Sequence, residues 1–325
     1  MKNSYSRNFS VMFFTIAAMT IWPALADNNS PAMVSQGVSS VSSRPYLLVA
    51  PLRESAAKGE KDYGPVAAFL SKVTGHPFVY ARPTSWLNYE KWIWEDHGDV
   101  YFDGPHFIAW RLHNLHASLG PRVPQPQEWR IYTWKGDPAV KTLADVAEGT
   151  SFCAPPVPNF GTLWAMSLFQ NPMRQPLWVD TKGWGPIFKK VMAHECAVGV
   201  APKLALKKLD PQRTKVTVLT RGPRLPNQGF SISYKVPPAL REKIVRALLS
   251  PAGERALLPL RQRFSHGAPF VAGNPADYTT VYGPLTEAWG AMYGAVIARY
   301  LKRDAAREGF PNPVSAHVSS AIPHP

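Results

Sequence analysis

Residues 98–106 combine a carboxylate, a Gly-Pro turn and a histidine in a spacing that suits ligand binding. A short apolar run ends on Asp103, turns through Gly104 and Pro105, and opens a helix. Proline is favoured in the first turn of a helix, where its missing N–H would have no partner. The free N–H groups of such a turn point beyond the carboxyl end of the strand, where open α/β sheets bind ligands and helix N-termini favour negative groups. We therefore expect an anion near this turn.

A second strand, turn and helix of the same kind is predicted for residues 151–169. Its turn carries Asn159, Gly161 and Thr162, which offer a side-chain amide, an unhindered backbone and a hydroxyl. Two such helix starts facing each other would enclose a cleft. The sequence thus predicts a ligand site between them.

Two carboxylates, Asp103 and Glu195, are predicted at or near the cleft ends of strands. An ammonium group of the ligand would pair with Asp103, because an unpaired carboxylate repels an oxyanion. The alternative is that each carboxylate caps a turn or pairs with a nearby arginine. Tyr101 and Trp184 are expected to stack on the apolar or cationic part of the ligand, with core packing as the alternative. For Trp86 we favour core packing.

The oxyanion itself needs cationic and hydroxyl donors. These are predicted at Arg53, Thr84, Ser85 and Thr162. Thr84 and Ser85 also suit helix capping, which stays open as their alternative role. The predicted ligand-binding set is completed by His106, Asn159 and Gly161.

Metal binding and catalysis are the rival chemistries. Asp103 and His106 have a spacing that can present two metal ligands, and His113 and His116 share a helix face. Without a third and fourth convergent ligand we expect neither a metal nor a cofactor. The chain has no G-x-S-x-G, no Gly-rich phosphate loop and no H-E-x-x-H. We therefore predict a binding protein rather than an enzyme.

The N-terminus has the pattern of a secretory signal. Lys2 and Arg7 precede an uncharged run at residues 11–22 and an Ala-Leu-Ala site at 24–26. The run is shorter than the roughly 20 residues that span a bilayer, so we predict cleavage after Ala26 and a periplasmic protein. The net charge of +14, which falls to +12 without Lys2 and Arg7, favours anionic ligands or an acidic membrane surface. Because the basic residues are scattered rather than interleaved with aromatic ones, no nucleic acid is expected.

The two cysteines, Cys153 and Cys196, both lie in apolar, strand-like runs. Export permits a disulfide, and the first and third strands of a doubly wound lobe are neighbours, so the two side chains could lie side by side. The alternative is a pair of buried thiols that act as small apolar residues. Both remain open from the sequence.

Alternating strands and helices predict βαβ units and an α/β fold of two lobes, each a mainly parallel sheet flanked by helices, joined by two crossovers. The predicted divisions are a signal peptide at 1–26, a flexible leader at 27–44, lobe I at 45–134 and 223–310, lobe II at 135–222, and a disordered tail at 311–325.

Four local patterns occur along the chain in one order: residues 62–66 (DYGPV), 98–105 (GDVYFDGP), 141–149 (KTLADVAEG) and 195–199 (ECAVG). Together, behind a signal peptide, they resemble the phosphonate-binding family of periplasmic ABC-transporter solute-binding proteins, over residues 46–264. The resemblance implies a Venus-flytrap fold of the type 2 periplasmic-binding class, a ligand held between the lobes, and delivery to an inner-membrane permease. Two turns, at 159–162 and 183–185, depart from the family pattern by losing donors and gaining aromatic side chains.

We therefore predict an exported, monomeric solute-binding protein of an ABC importer. Its ligand would be a small phosphonate-, phosphite- or phosphate-like oxyanion, with amino substitution left open. The alternative is the same fold used as a sensory or carrier module for a metal or an organic cofactor.

Overall fold

The computed structural model describes residues 44–169, 171 and 174–283. The predicted signal peptide, nearly all of the leader, the end of the predicted lobe I from residue 284 and the C-terminal tail lie outside these residues. Within the described ranges, no helix has both the length and the hydropathy that a membrane span requires.

The described residues form two five-stranded sheets that belong to one compact unit of the chain. The strands are β1 (Tyr46–Val49), β2 (Phe78–Ala81), β3 (Val100–Asp103), β4 (Ser118–Arg122), β5 (Trp129–Trp134), β6 (Ser151–Ala154), β7 (Leu177–Asp180), β8 (Val198–Pro202), β9 (Val216–Arg221) and β10 (Gly229–Ile232). The α-helices are α1 (Ala56–Thr74), α2 (Trp86–Trp94), α3 (Pro105–Asn114), α4 (Phe160–Met166), α5 (Trp184–Met192), α6 (Lys203–Leu209), α7 (Pro238–Leu248), α8 (Pro251–Ala256) and α9 (Leu258–Phe264).

The two sheets have the same plan. The first has the order β2-β1-β3-β10-β4 and the second β7-β6-β8-β5-β9. In each sheet, three parallel strands are extended by one strand that runs antiparallel to both of its neighbours: β10 in the first sheet and β5 in the second. The predicted two-sheet α/β architecture is thereby confirmed, with mixed sheets. We refer to each sheet with its helices as the first and the second lobe.

The chain crosses between the lobes twice, at residues 123–128 and 222–228. The two crossovers pair with each other. Val123 donates its N–H to the carbonyl of Gln228 at 2.9 Å, and Gln127 and Leu225 exchange backbone hydrogen bonds of 2.8 and 2.9 Å. The side chains of Gln127 and Asn227 add a bond of 2.7 Å. This pairing joins the lobes through a short two-stranded link.

One predicted division requires correction. The sequence places residues 129–134 in the first lobe, but β5 pairs with β8 and β9 of the second sheet. The first crossover therefore precedes β5 rather than following it. The physical reason is that Ile131 and Tyr132 are buried and β5 fills the antiparallel position between β8 and β9.

Local signals explain most of the helix boundaries. Helix α1 begins at Ala56, because Ser55 caps its N-terminus, and Pro65 is accommodated inside the helix. It ends at Gly75, whose φ of 79° is the left-handed conformation typical of a C-cap. Residues Leu143–Asp145 form a 3-10 turn that is closed by hydrogen bonds between Thr142 and Asp145.

Cys153 of β6 and Cys196, just before β8, form a disulfide with a Cα–Cα distance of 5.8 Å. The two strands are neighbours in the second sheet, as the disulfide interpretation required. Thr181 lies beside the bridge, with Oγ1 at 3.5 Å from the Cys153 sulfur.

The lobes also touch through their apolar cores. Ile108 and Ala109 of α3 belong to a buried cluster made mostly of second-lobe residues. Conversely, Leu163 of α4, a second-lobe residue, packs in a cluster with Phe107 and other first-lobe residues. Helices α3 and α4 therefore hold the lobes together at the starts that the sequence singled out.

Candidate functional site

A cavity of about 860 Å³ lies where the two helix starts, the crossovers and the start of α5 meet. Its lining includes Gly104 and Pro105 at the start of α3, and Asn159 and Phe160 at the start of α4. The two helix starts that the sequence predicts to face a common cleft therefore border one cavity. The crossover residues 125–128 and 227–228 also border it.

Aromatic rings form a continuous part of this lining. The ring of His106 lies 4.1 Å from that of Phe107 and stacks on Phe160 at 5.2 Å. Trp129 meets Phe160 edge-on at 6.3 Å and Trp184 at 5.5 Å. These ring contacts thus run from the start of α3 in the first lobe to the start of α5 in the second.

His106 bridges the two lobes. Its Nε2 lies 3.0 Å from the carbonyl oxygen of Pro158, which can only accept, so Nε2 carries the proton. Burial lowers the pKa of His106 from 6.5 to about 3; the Pro158 hydrogen bond opposes this, and the Arg53 and Arg111 guanidiniums add to it. The imidazole is therefore neutral at physiological pH. Its Nδ1 is a buried acceptor with no hydrogen-bond partner among the described residues.

The charges around the cavity are mostly positive. Glu128 is the one carboxylate among the described residues that line it, and it is paired with Arg130 and Lys203, each at 3.0 Å. The cationic residues of the lining are Arg53, Lys182, Lys203, Arg224 and Arg263. A surplus of positive charge follows, which suits an anionic ligand.

Arg53 differs from the neighbouring Arg263. Arg263 is paired with Glu54 and Asp62 at 2.8 and 2.9 Å. Within residues 44–169, 171 and 174–283, Arg53 has no carboxylate at ion-pair distance; it donates to the Gln228 side chain and to the carbonyl of Phe102. Its charge is therefore the less neutralised of the two.

Four of the predicted ligand-binding residues lie on the cavity: Arg53, His106, Asn159 and Trp184. Trp86, for which the sequence favours the core, is instead 39% exposed and lines the cavity. The other seven predicted residues, which are Thr84, Ser85, Tyr101, Asp103, Gly161, Thr162 and Glu195, do not line it.

Asp103 is not placed to receive a ligand ammonium. It is fully buried, and its Oδ2 lies 2.7 Å from Nη2 of the equally buried Arg111. The same oxygen accepts a hydrogen bond from Tyr89, whose pKa is raised well above its usual value by burial and by Asp103. Arg111 also lies 4.1 Å above the Tyr101 ring, and its Nε donates to Ser231 at 2.9 Å. Oδ2 of the carboxylate is thus paired inside the first lobe, as the alternative of pairing with a nearby arginine requires, whereas Oδ1 is buried with no hydrogen-bond partner among the described residues.

Glu195 lies at the wrong end of its strand. It precedes β8, whereas the cavity is bordered by Pro202 and Lys203 at the carboxyl end of that strand. Its side chain is 60% exposed and lies 3.4 Å from Lys190. Glu195 therefore makes a surface ion pair.

Thr84 and Ser85 serve the start of α2. The side chain of Ser85 accepts from the Asn88 N–H at 3.0 Å, and the Thr84 N–H donates to the Asn88 side chain at 3.0 Å. Both Thr84 and Ser85 are exposed. Ser85 therefore caps α2, which is the alternative weighed for it, whereas Thr84 contributes its backbone N–H to the same turn.

Gly161 and Thr162 lie behind the cavity wall. The Thr162 hydroxyl donates to the Pro155 carbonyl at 2.6 Å, which leaves it occupied within the turn. The Gly161 N–H donates to Asn159 Oδ1 at 2.9 Å. A Cβ on Gly161 would collide with the Trp129 indole, so this glycine allows α4 to approach β5 closely.

Sequence reasoning missed the crossover residues and several cations of the lining. Gln125, Gln127, Asn227 and Gln228 come from segments that the sequence shows only as Pro- and polar-rich connections. The Pro-rich composition of 121–126 was the available signal. Among the described residues, no group of three or more His, Cys, Asp or Glu side chains is gathered as a metal site.

Comparisons with known proteins agree with this architecture. A family model described as "ABC transporter, phosphonate, periplasmic substrate-binding protein" matches residues 48–278. The chain is similar to XAC2383 from Xanthomonas citri bound to ATP, with 12% identity, a TM-score of 0.58, and coverage of 75% of this chain and 97% of that one. It is also similar to PhnD1 from Prochlorococcus marinus in complex with methylphosphonate, with 8% identity, a TM-score of 0.52, and coverage of 74% and 96%. No curated protein matches the chain in sequence. At these identities the structural likenesses establish the shared two-lobed fold.

Proposed function

Because the chain belongs to the phosphonate family of periplasmic substrate-binding proteins of ABC transporters, we propose that its cavity binds a phosphonate-, phosphite- or phosphate-like oxyanion for delivery to an inner-membrane permease. The family consists of substrate-binding transport proteins rather than enzymes. We further propose that the chain is exported through a cleaved signal peptide and acts as a monomer.

The observation that carries this proposal is the unbalanced positive charge of the cavity. Glu128 is neutralised by its two cationic partners, whereas Arg53 has no carboxylate at ion-pair distance among the described residues. Arg53 also follows β1, at the carboxyl ends of the parallel strands where such folds bind ligands. The hypothesis that the ligand carries an amino group loses its support, because Asp103 is paired with Arg111 away from the cavity.

Closure provides the link to transport. The crossovers join the lobes, and a ligand that contacts both lobes favours the closed arrangement by its differential contacts. The cavity is bordered by both helix starts, which belong to different lobes, so closure of the lobes on a bound anion would bring both into contact with it. A permease would then recognise the closed form.

The test is calorimetric titration and thermal shift of the protein purified from the periplasm, with methylphosphonate, phosphite and phosphate. Bound ligand at 100 times its Kd stabilises the folded state by about 2.7 kcal/mol. We expect at least one oxyanion to raise the Tm, and Arg53→Gln to weaken its binding by roughly tenfold or more, since a hydrogen bond to a charged group contributes about 1.5–3 kcal/mol.

Arg246→Gln is the matched control, because Arg246 lies on α7, is 71% exposed and does not line the cavity. It should bind like the unmodified protein. Absence of binding by all three anions, or equal effects of the two variants, would contradict the proposal.

A further inference from the structure

The walls of the cavity suit a larger ligand than a bare oxyanion. We propose that the bound anion carries a planar aromatic group, a proposal that rests on the anion-binding function above and specifies its substrate class.

The cavity is large for a bare oxyanion. The cavity of about 860 Å³ falls in the range of roughly 300–1,000 Å³ that holds drug-sized molecules. A phosphonate with one methyl group displaces only a few waters, each of about 30 Å³. Unless the ligand carries a larger group, most of the cavity in this arrangement of the lobes would be left to water.

The walls of the cavity are rich in aromatic side chains. Aromatic side chains line the cavity from both lobes, namely Trp86, Phe107 and Phe264 in the first and Trp129, Phe160 and Trp184 in the second. Several rings lining one cavity favour a planar ligand, because aromatic pairs prefer stacked or edge-to-face contact. Trp86 is 39% exposed and Trp184 is half-buried, so each has surface left to cover.

The positive charge of Arg53 lies beside these rings. The Arg53 guanidinium lies 5.3 Å from the centre of the Phe264 ring. An anionic group at Arg53 would therefore start at the aromatic wall, and its substituent would extend among the rings. A fully hydrophilic anion would leave these rings against water.

The turn that opens α5 offers an aromatic ring and no side-chain hydroxyl. Residues 183–185 read Gly-Trp-Gly and carry no hydroxyl, and the Gly183 φ of 93° places Trp184 at the start of the helix. Trp184 touches Trp129 edge-on and packs against the core of the second lobe, and it is only half-buried, so part of its surface is left exposed. The second lobe thus presents a ring where a hydroxyl would serve a bare oxyanion.

The experiment compares three phosphonates by calorimetry and by tryptophan fluorescence: methylphosphonate, cyclohexylphosphonate and phenylphosphonate. All three carry the same anionic group, and the last two have rings of similar size, of which only one is aromatic. We expect phenylphosphonate to bind roughly tenfold or more tightly than methylphosphonate and more tightly than cyclohexylphosphonate. Benzyl alcohol, a neutral aromatic probe, should not bind measurably.

Two tryptophan variants locate the effect. Trp86→Leu should reduce the ratio of phenylphosphonate to methylphosphonate affinity by about tenfold. Trp134→Leu is the control, since Trp134 lies at the opposite end of β5 from Trp129 and does not line the cavity. It should leave the ratio unchanged.

The outcomes separate this inference from the anion-binding function. Equal affinities for the three phosphonates, or tightest binding of methylphosphonate, would overturn the aromatic ligand class and leave the anion-binding function standing. Equal binding of the cyclohexyl and phenyl compounds would overturn it in favour of selection by size. No binding by any phosphonate, or binding of benzyl alcohol as tight as that of phenylphosphonate, would overturn both.

Discussion

Acidification should destabilise this protein through His106. In the folded state burial lowers the pKa of its imidazole to about 3, against 6.5 for an accessible histidine. The unfolded chain therefore binds a proton that the folded chain does not, and stability falls as the pH drops from 6.5 towards 3. Above pH 6.5 both states are neutral at this residue and the effect disappears.

The size of the loss follows from the two pKa values. Each pH unit in this window costs about 1.4 kcal/mol, so roughly 2.7 kcal/mol is lost by about pH 4.5. Other groups also titrate there, and a variant isolates the share of His106. In His106→Gln the amide can still donate to the Pro158 carbonyl but takes up no proton.

The assay is urea denaturation of both proteins at about pH 7.5 and pH 4.5. The unmodified protein should lose roughly 2.7 kcal/mol more than His106→Gln between the two conditions. His76→Gln, at an exposed histidine, should behave like the unmodified protein. Equal losses in the unmodified protein and His106→Gln would refute the assignment of a neutral, buried imidazole.

Two further predictions concern stability. Asp103→Asn leaves Arg111 buried without its charge partner and should cost about 3–5 kcal/mol, measured by urea denaturation at neutral pH; a loss below about 1 kcal/mol would show that the pair is accessible to water. Replacing Cys153 and Cys196 by serine opens a loop with a sequence separation of 43 and should lower the free energy of unfolding by about 4 kcal/mol on the chain-entropy model. An unchanged unfolding midpoint under oxidising conditions would contradict the bridge.

The sequence predicted the parts of the fold that depend on local signals. Strand β3 and the Gly-Pro start of α3 were found because apolar runs and helix-start residues are local features. The two helix starts were also expected to face one cleft, because each follows a strand whose carboxyl end is the position where open α/β sheets bind ligands. In the structure, both helix starts border one cavity.

The partners of charged residues were less predictable. Asp103 has the same sequence context whether it faces a ligand or Arg111; only the packing of α3 on β10 and β4 brings the guanidinium to 2.7 Å. Glu195 was misplaced because β8 begins at Val198, so the carboxylate lies at the amino end of the strand. The crossover glutamines reach the cavity through pairing between segments about a hundred residues apart, which no local pattern encodes.

The register of the first sheet bears on how such a chain is assembled. The polypeptide leaves this sheet at Arg122 and re-enters it at Gly229, and these residues face each other on adjacent antiparallel strands. A short reverse turn would be enough to connect them. The second sheet, with its disulfide and both connecting segments, is thus inserted at the tip of what would otherwise be an ordinary hairpin. Cutting it out and closing that hairpin would leave the order of all five strands of the first sheet intact.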